Sequence, residues 1–290
     1  MEEGKYILLL GSPNDTVLLQ TQDGLTRNGV RAYVVPNVSL VNISVPLGVD
    51  NVEAKIIIDS KPLPLRSAKA FLVSHVTAAS KDVLDSSDTQ YAEHEAYASW
   101  LALLSMVPCR VINRPSTRIP VMHYNSMQIR SFARALGVPT VKEEICSKRE
   151  LTRRKQRGEN LACIDLSNQQ PFCLADGYPI EGGRLYSILD VPCDTTYAIT
   201  VRIVDEFLTF SYAPSQGMFP TTDVLQQQLK DSSRTLLDAL SLTYAYCIYA
   251  FQSYQQEIPE FIRLYTSNPS FLPQSLSNMV TDKIVEELKR

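Results

Sequence analysis

Apolar residues run unbroken through "KYILLLG" (5–11), the pattern of a strand buried on both faces. The polar turn "SPNDT" follows and can cap a helix. In "TVLLQTQDGLTRNG", Val17, Leu18 and Leu25 share one helical face, and Asn28-Gly29 stops the helix before a second strand, "VRAYVVP" (30–36). A β-α-β start of this kind favours a parallel sheet. "AKIIID" (54–59) and "KAFLVS" (69–74) read as further strands. A helix is expected over 86–106, capped by Ser87 or Asp88, with Tyr91, Ala98, Leu101 and Leu104 as its apolar stripe. "CRVIN" is the last strand of this layer, which ends near residue 115.

The next helix has caps at both ends. Asn125 can accept a backbone N–H, and Gln128 stands three residues on, as a capping box requires. Ile129, Phe132, Ala133 and Leu136 form its buried face, Gly137 supplies the left-handed exit, and Pro139 prevents continuation. Arg130 and Arg134 lie one turn apart on the face expected to meet solvent or a ligand. Strands then dominate: "LACIDL", "PFCLAD", "LYSILDV", and a hairpin of "TYAITVRIV" and "FLTFSYA" around Asp205-Glu206. A helix over 221–240, two strands around "QQEIP" and a closing amphipathic helix complete the chain. No internal repeat is present. The fold class is α/β, turning to α+β in the carboxy-terminal part, with units expected at 1–115 and 116–290.

Composition narrows the function. The chain has 290 residues, 44% of them hydrophobic and 20% charged, at a net charge of −3. No global basic field asks for nucleic acid. The longest apolar segment, "ALSLTYAYCIYAF" (239–251), is too short to span a bilayer, and no signal peptide is legible, so a cytoplasmic protein is expected. Six cysteines without a CxxC pair and three histidines give neither a zinc spacing nor a disulfide framework, and the cysteines are expected to be reduced. No GxSxG elbow exists, and Glu93-His94-Glu95 lacks the HExxH spacing. "EGGRLY" (181–186) reads as a plain turn or as a remnant phosphate loop. Tyr244, Tyr246, Tyr249 and Tyr254 pack on a sheet or line a peptide groove.

One charge cluster stands out. "SKRELTRRKQRG" (147–158) holds six Lys or Arg residues, Lys148, Arg153, Arg154 and Lys155 among them, and one Glu. It is either a solvated helix or loop, or a patch for an acidic peptide, a phosphate group or a partner protein.

The order of elements resembles the ATP-grasp superfamily, whose members join a carboxylate to an amine through an acyl-phosphate with ATP and magnesium. "VINRP" (111–115), the helix opening at Asn125 and the exit "LGVPT" (136–140) look like the family's crossing into its nucleotide-binding part. "TYAITVRIVDEFLTF" looks like its strand with a ligand-reading Arg, here Arg202, followed by a Val-Val-Gly-Asp-like turn. "FIRLYTSNPSF" resembles its Glu-x-Asn-Pro segment. The likeness is nearest to the smaller ligases that modify ribosomal peptides or build natural products. It implies a parallel layer followed by antiparallel-containing sheets around a cleft.

Departures from that pattern fall on the phosphate and metal ligands. Ser126 stands for the helix-opening Lys, "ENLACIDLSN" (159–168) has no Lys, "IYAF" (248–251) has no carboxylate, and Thr266 replaces the metal-bridging Glu, leaving Asn268. Magnesium needs hard oxygen ligands and phosphoryl transfer needs charge stabilisation. The expected function is therefore a degenerate ATP-grasp-like protein that binds a peptide, an anionic ligand or a partner enzyme, with no cofactor. Arg114, Asn125, Arg130, Arg202, Arg263, Asn268 and the basic cluster are its candidate binding residues, since Arg forks bind carboxylates without a metal. Two alternatives stay open. One is an active ligase using Mg-ATP with a metal site moved to Glu257 or Glu260; the other is an unrelated α/β binding protein. Membrane and nucleic acid are not expected partners, and homo- or hetero-oligomers are both admitted.

Overall fold

The opening apolar run forms β1 (Tyr6–Leu10), all of it buried. In this computed structural model, residues 5–12, 14–38, 41–44, 54–58, 60–74, 76, 86–115, 126–165, 170–174, 179–192, 195–213, 217–219, 221–251, 258–269 and 272–290 are described. Asp15 caps α1 (Thr16–Arg27) by accepting from the Val17 and Leu18 amides, and β2 (Arg31–Val35) then pairs parallel with β1. Gly11 at this turn has no room for a side chain: a Cβ would stand 2.3 Å from Leu18 Cδ1 and 3.1 Å from Ser74 Cβ.

The run at 54–59 is a strand but not part of the parallel layer. β3 (Asn42–Ser44), β4 (Lys55–Ile58) and β5 (Lys61–Pro64) form a small antiparallel sheet of their own. β6 (Ala68–Val73), α2 (Ser86–Met106) and β7 (Arg110–Ile112) complete the parallel sheet, in the order β2-β1-β6-β7. Its face toward α2 is covered by Trp100, Leu103 and Leu104. Of the expected stripe, Leu104 is buried, but Tyr91 is 68% exposed and Ala98 is exposed. Tyr91 lies nine residues from Trp100, about 180° around the helix, so burying the tryptophan turns the tyrosine outward.

Next come α3 (Ser126–Ala135), β8 (Glu143–Ser147), α4 (Lys148–Gln156), β9 (Leu161–Asp165), β10 (Gln170–Cys173) and β11 (Leu185–Pro192). The strands make an antiparallel sheet in the order β10-β9-β11-β8. Gly137 ends α3 at φ +78°, and the Val138 amide reaches back to the Ala133 carbonyl, as the capping pattern required. Of the expected buried face, Ile129 and Ala133 are buried while Phe132 is exposed. α4 covers the outer face of this sheet, seating Leu151 among Cys146, Cys163, Tyr186 and Ile188.

The third sheet is five-stranded, β14-β13-β12-β15-β16. It comprises β12 (Tyr197–Ile203), β13 (Glu206–Ala213), β14 (Gly217–Phe219), β15 (Tyr244–Ala250) and β16 (Glu260–Tyr265), with α5 (Asp223–Ala239) packed on its outer face. α6 (Gln274–Lys289) closes the chain against α1. One continuous core joins the inner faces of all three large sheets with α1 and α6.

Asn113 fastens the parallel sheet to β15. Its Oδ1 accepts from the Thr243 amide (2.9 Å) and the Tyr244 amide (2.7 Å). Its Nδ2 donates to the Val73 carbonyl (3.0 Å) and the Tyr244 carbonyl (2.7 Å). The residue is fully buried at φ +58°, a conformation Asn tolerates better than most side chains. Cys109, Cys146, Cys163 and Cys247 are free, but Cys173 is disulfide-bonded, a departure from the expected reduced set.

Candidate functional site

The candidate site is the inner face shared by the two larger antiparallel sheets. Alternation along the strands directs Ile199, Val201 and Ile203 of β12 inward, with Tyr244, Tyr246 and Ile248 of β15. Ile164 of β9 and Leu189 and Val191 of β11 face them. On β16 the parity changes. Phe261 pairs with Tyr249 on the outer face and Arg263 pairs with Ile248 on the inner one, although the two are only two residues apart. A bulge at Ile262 makes the difference.

Polar groups gather at two places on this face. At the first, the Arg130 guanidinium enters from α3. Its Nε donates to Glu143 Oε2 at 2.9 Å, its Nη2 donates to the other carboxylate oxygen, and its Nη1 donates to the Ile262 carbonyl at 3.0 Å. Ser187 of β11 donates to the same carboxylate. Beside them Arg263 stacks over the Tyr265 ring, 4.7 Å from its centroid. Burial pulls the Arg263 guanidinium below its usual range; Tyr265 opposes this and the charge of Arg130 adds to it.

A tyrosine band leads to the second. Tyr244 and Tyr246 are fully buried, their rings edge-to-face at 5.7 Å and their hydroxyls 3.2 Å apart. Burial raises both phenols, and the charge of Asp15 raises them further. Asp15 itself is buried where β1, β6 and the end of β16 converge. Its carboxylate accepts from the Val17 and Leu18 amides, from Ser74 Oγ (3.1 Å) and from the Asn268 amide. Burial raises its carboxyl above the ordinary 3.8, and these hydrogen bonds pull the other way. Asn268 Nδ2 donates to Thr16 Oγ1 (2.8 Å) and Ser277 Oγ (3.2 Å), while its Oδ1 is buried without a partner.

The residues singled out from sequence are scattered by the fold. Arg263 lies on the inner face and Asn268 at its parallel-sheet end. Arg130, expected to face solvent or a ligand, is instead fully buried, because Glu143 and the Ile262 carbonyl draw its guanidinium between the sheets. Arg114 donates to the carbonyls of Leu104, Ser105, Val107 and Cys109, so it caps the end of α2. Arg202 points to the α5 side, where it meets Asp238 at 2.5 Å, the Val204 carbonyl at 2.8 Å and the Phe207 ring. Lys148, Arg153, Arg154 and Lys155 ride on α4, on the outer face of the four-stranded sheet.

Asn125 and Glu257 lie outside the described residues. Glu260 opens β16, opposite Ala250, six residues before Thr266 and therefore about 20 Å along the strand from it. Glu260 and Asn268 are not brought together. Asp15, Ser74, Glu143 and Ser187 were not singled out as site residues; Asp15 alone carried a signal, as a capping residue before a helix. Among the described residues, no group of three or more His, Cys, Asp or Glu side chains is placed to hold a metal ion.

No protein-family profile matches the chain, and no curated protein is similar to it in sequence. Solved structures are similar in fold. The macrocyclase MdnC from Microcystis aeruginosa MRC, bound with its precursor peptide MdnA, superposes with a TM-score of 0.69 at 14% identity, covering 98% of this chain and 99% of that one. A RiPP-associated ATP-grasp ligase from Chryseobacterium gregarium, in complex with ADP and a leader and core peptide, gives 0.66 at 12% identity over 98% and 96%. The ATP-grasp ligase PsnB, complexed with minimal precursor, Mg and ADP, gives 0.63 at 15% identity over 98% of both chains. The architecture is thus the ATP-grasp fold, as the order of elements implied.

Proposed function

We propose that this chain, with its ATP-grasp fold, serves peptide modification in the cytoplasm by binding a peptide or a partner enzyme at the inter-sheet cleft, and that ATP-dependent ligation is not its own activity. Residues 1–115 and 116–290 are the proposed domains. The observation that carries the reading is the donor set on the inner face. "IYAF" (248–251), at the end of β15, and Thr266 stand where the resemblance places carboxylates, and β9 offers no Lys. Magnesium prefers hard, anionic oxygens, and the transferring phosphoryl group needs cations. These residues do not fit Mg-ATP. Arg263, with an aromatic ring beneath it, is the proposed reader of a peptide carboxylate.

One observation favours the ligase alternative: the fold is shared with a ligase complexed with Mg and ADP. Calorimetry and thermal melting with Mg-ATP separate the two. The expected result is no heat of binding and no rise in Tm. A working site at 100 times its Kd would add about 2.7 kcal/mol of stability. Micromolar binding abolished by changing Glu257 or Glu260 would put the ligase reading first.

A further inference from the structure

We propose that the outer face of α4 docks an acidic α-helical segment whose carboxylates lie one turn apart. The surface is separate from the inter-sheet cleft and goes beyond the reading given for it. Leu151 points from α4 into the core under the four-stranded sheet. At 100° per residue, the positions directly opposite Leu151 are Arg149, Arg153 and Gln156, with Arg157 beside them. All four are exposed. The three arginines are four residues apart, a row with about 6 Å between neighbours.

The composition of this row differs from the cluster expected from sequence. Arg154 is occupied: it binds Glu144 and lies within 3.6 Å of Glu150 and 3.5 Å of Glu159. Arg149, one of the six basic residues of the cluster, belongs to the outward row. Arg153 and Arg157 have only loose ion pairs, at 3.6 Å to Glu150 and 3.9 Å to Glu159, and their side chains are 51% and 68% exposed.

Helix stability does not account for Arg149 in this row. Cations in the last turn suit the helix dipole, but Lys148 and Arg149 stand in the first turn, where they oppose it. Like charges at i and i+4 repel, and Arg149, Arg153 and Arg157 repeat that spacing twice. Arg149 thus opposes the helix dipole, whereas Arg153 and Arg157 at the carboxy-terminal end suit it, in a chain whose net charge is −3. Planar guanidinium forks at one-turn intervals match carboxylates at the same interval on a partner helix.

The test uses the full chain and two alanine-based helical peptides. One carries glutamates at i, i+4 and i+8; the other has the same composition with the glutamates spread around the helix. Binding is followed through the Nε–Hε resonances of the arginines at low salt. The aligned peptide is expected to shift Arg149, Arg153 and Arg157 and to bind more tightly than the dispersed one. The R149Q/R153Q/R157Q variant is expected to bind about tenfold more weakly, since exposed pairs are individually weak and additive only in number. Its melting temperature should stay close to the parent's, because relief of like-charge repulsion offsets the loss of two cations at the carboxy-terminal end of α4. Arg154→Gln should lower the melting temperature and leave peptide affinity unchanged. Equal affinity for both peptides, undiminished binding by the triple variant, or loss of binding in folded Arg154→Gln overturns the proposal. So does a stronger response of these arginines to single-stranded RNA or anionic vesicles. Mg-ATP binding at the cleft has no bearing on any of these outcomes.

Discussion

Arg130 grips Glu143 with two guanidinium nitrogens between the sheets, a fully buried cation on a nearly buried carboxylate. The pair joins α3 to β8, and through the Ile262 carbonyl and Ser187 it also holds β16 and β11. A surface arginine in the sequence pattern is thus an internal tie between the two antiparallel sheets.

Removing one partner should be far worse than removing both. Glu143→Gln leaves a buried guanidinium without its counter-charge, and an expected loss of about 3–5 kcal/mol follows. Urea unfolding of Glu143→Gln and of the double variant Arg130→Met/Glu143→Leu measures this. The double variant should recover most of the loss. A single variant within about 1 kcal/mol of the parent would mean that the pair contributes little to holding the sheets.

Asp15 sets a pH dependence of definite sign. Its carboxyl is raised above 3.8 in the folded chain, chiefly by burial. The folded state therefore binds this proton more tightly than the unfolded state. The stability this supplies is fully present below the unfolded pKa and is lost as pH rises through the folded one. Asp15→Asn keeps a residue that caps α1 but removes the titration. Relative to the parent, the variant should become steadily more stable as pH rises from about 3.8 through the folded pKa of Asp15. Parallel stability curves from acid denaturation would contradict the raised carboxyl.

Val204 occupies the first place of the two-residue loop between β12 and β13, at φ +59°. Hairpin loops with positive φ at this place favour Gly, and a β-branched side chain is strained there. Val204→Gly should raise stability by roughly 0.5–1 kcal/mol, relief of strain exceeding the lost partial burial and the added freedom of the unfolded chain. A lower Tm would show that the packing of Val204 outweighs its backbone strain.

Much of the fold was legible because its signals are local. The buried run of β1, the Asp15 cap, the Gly137 exit and the hairpin near Asp205 each need only a few neighbouring residues to declare themselves. The phase of α2 was not legible: apolar residues occur all around that helix, and only contact with the parallel sheet selects Trp100 over Tyr91 as the buried side.

By itself, the sequence determined most of the longer elements and their order, while the short strands β3, β5, β8 and β14 carried no signal of their own. The longer elements depend on covalent order and on short-range periodicity. Only the tertiary structure decided what each charge faces. Arg202 and Arg263 both sit on strands of one sheet, yet the first meets Asp238 under α5 and the second lies on the inner face. The bulge at Ile262 sets that parity for β16, and it becomes visible only when the strand is paired with β15. Arg130 turned inward for the same kind of reason: its partner Glu143 lies on another element, and burying a guanidinium is tolerable only once that carboxylate is in place.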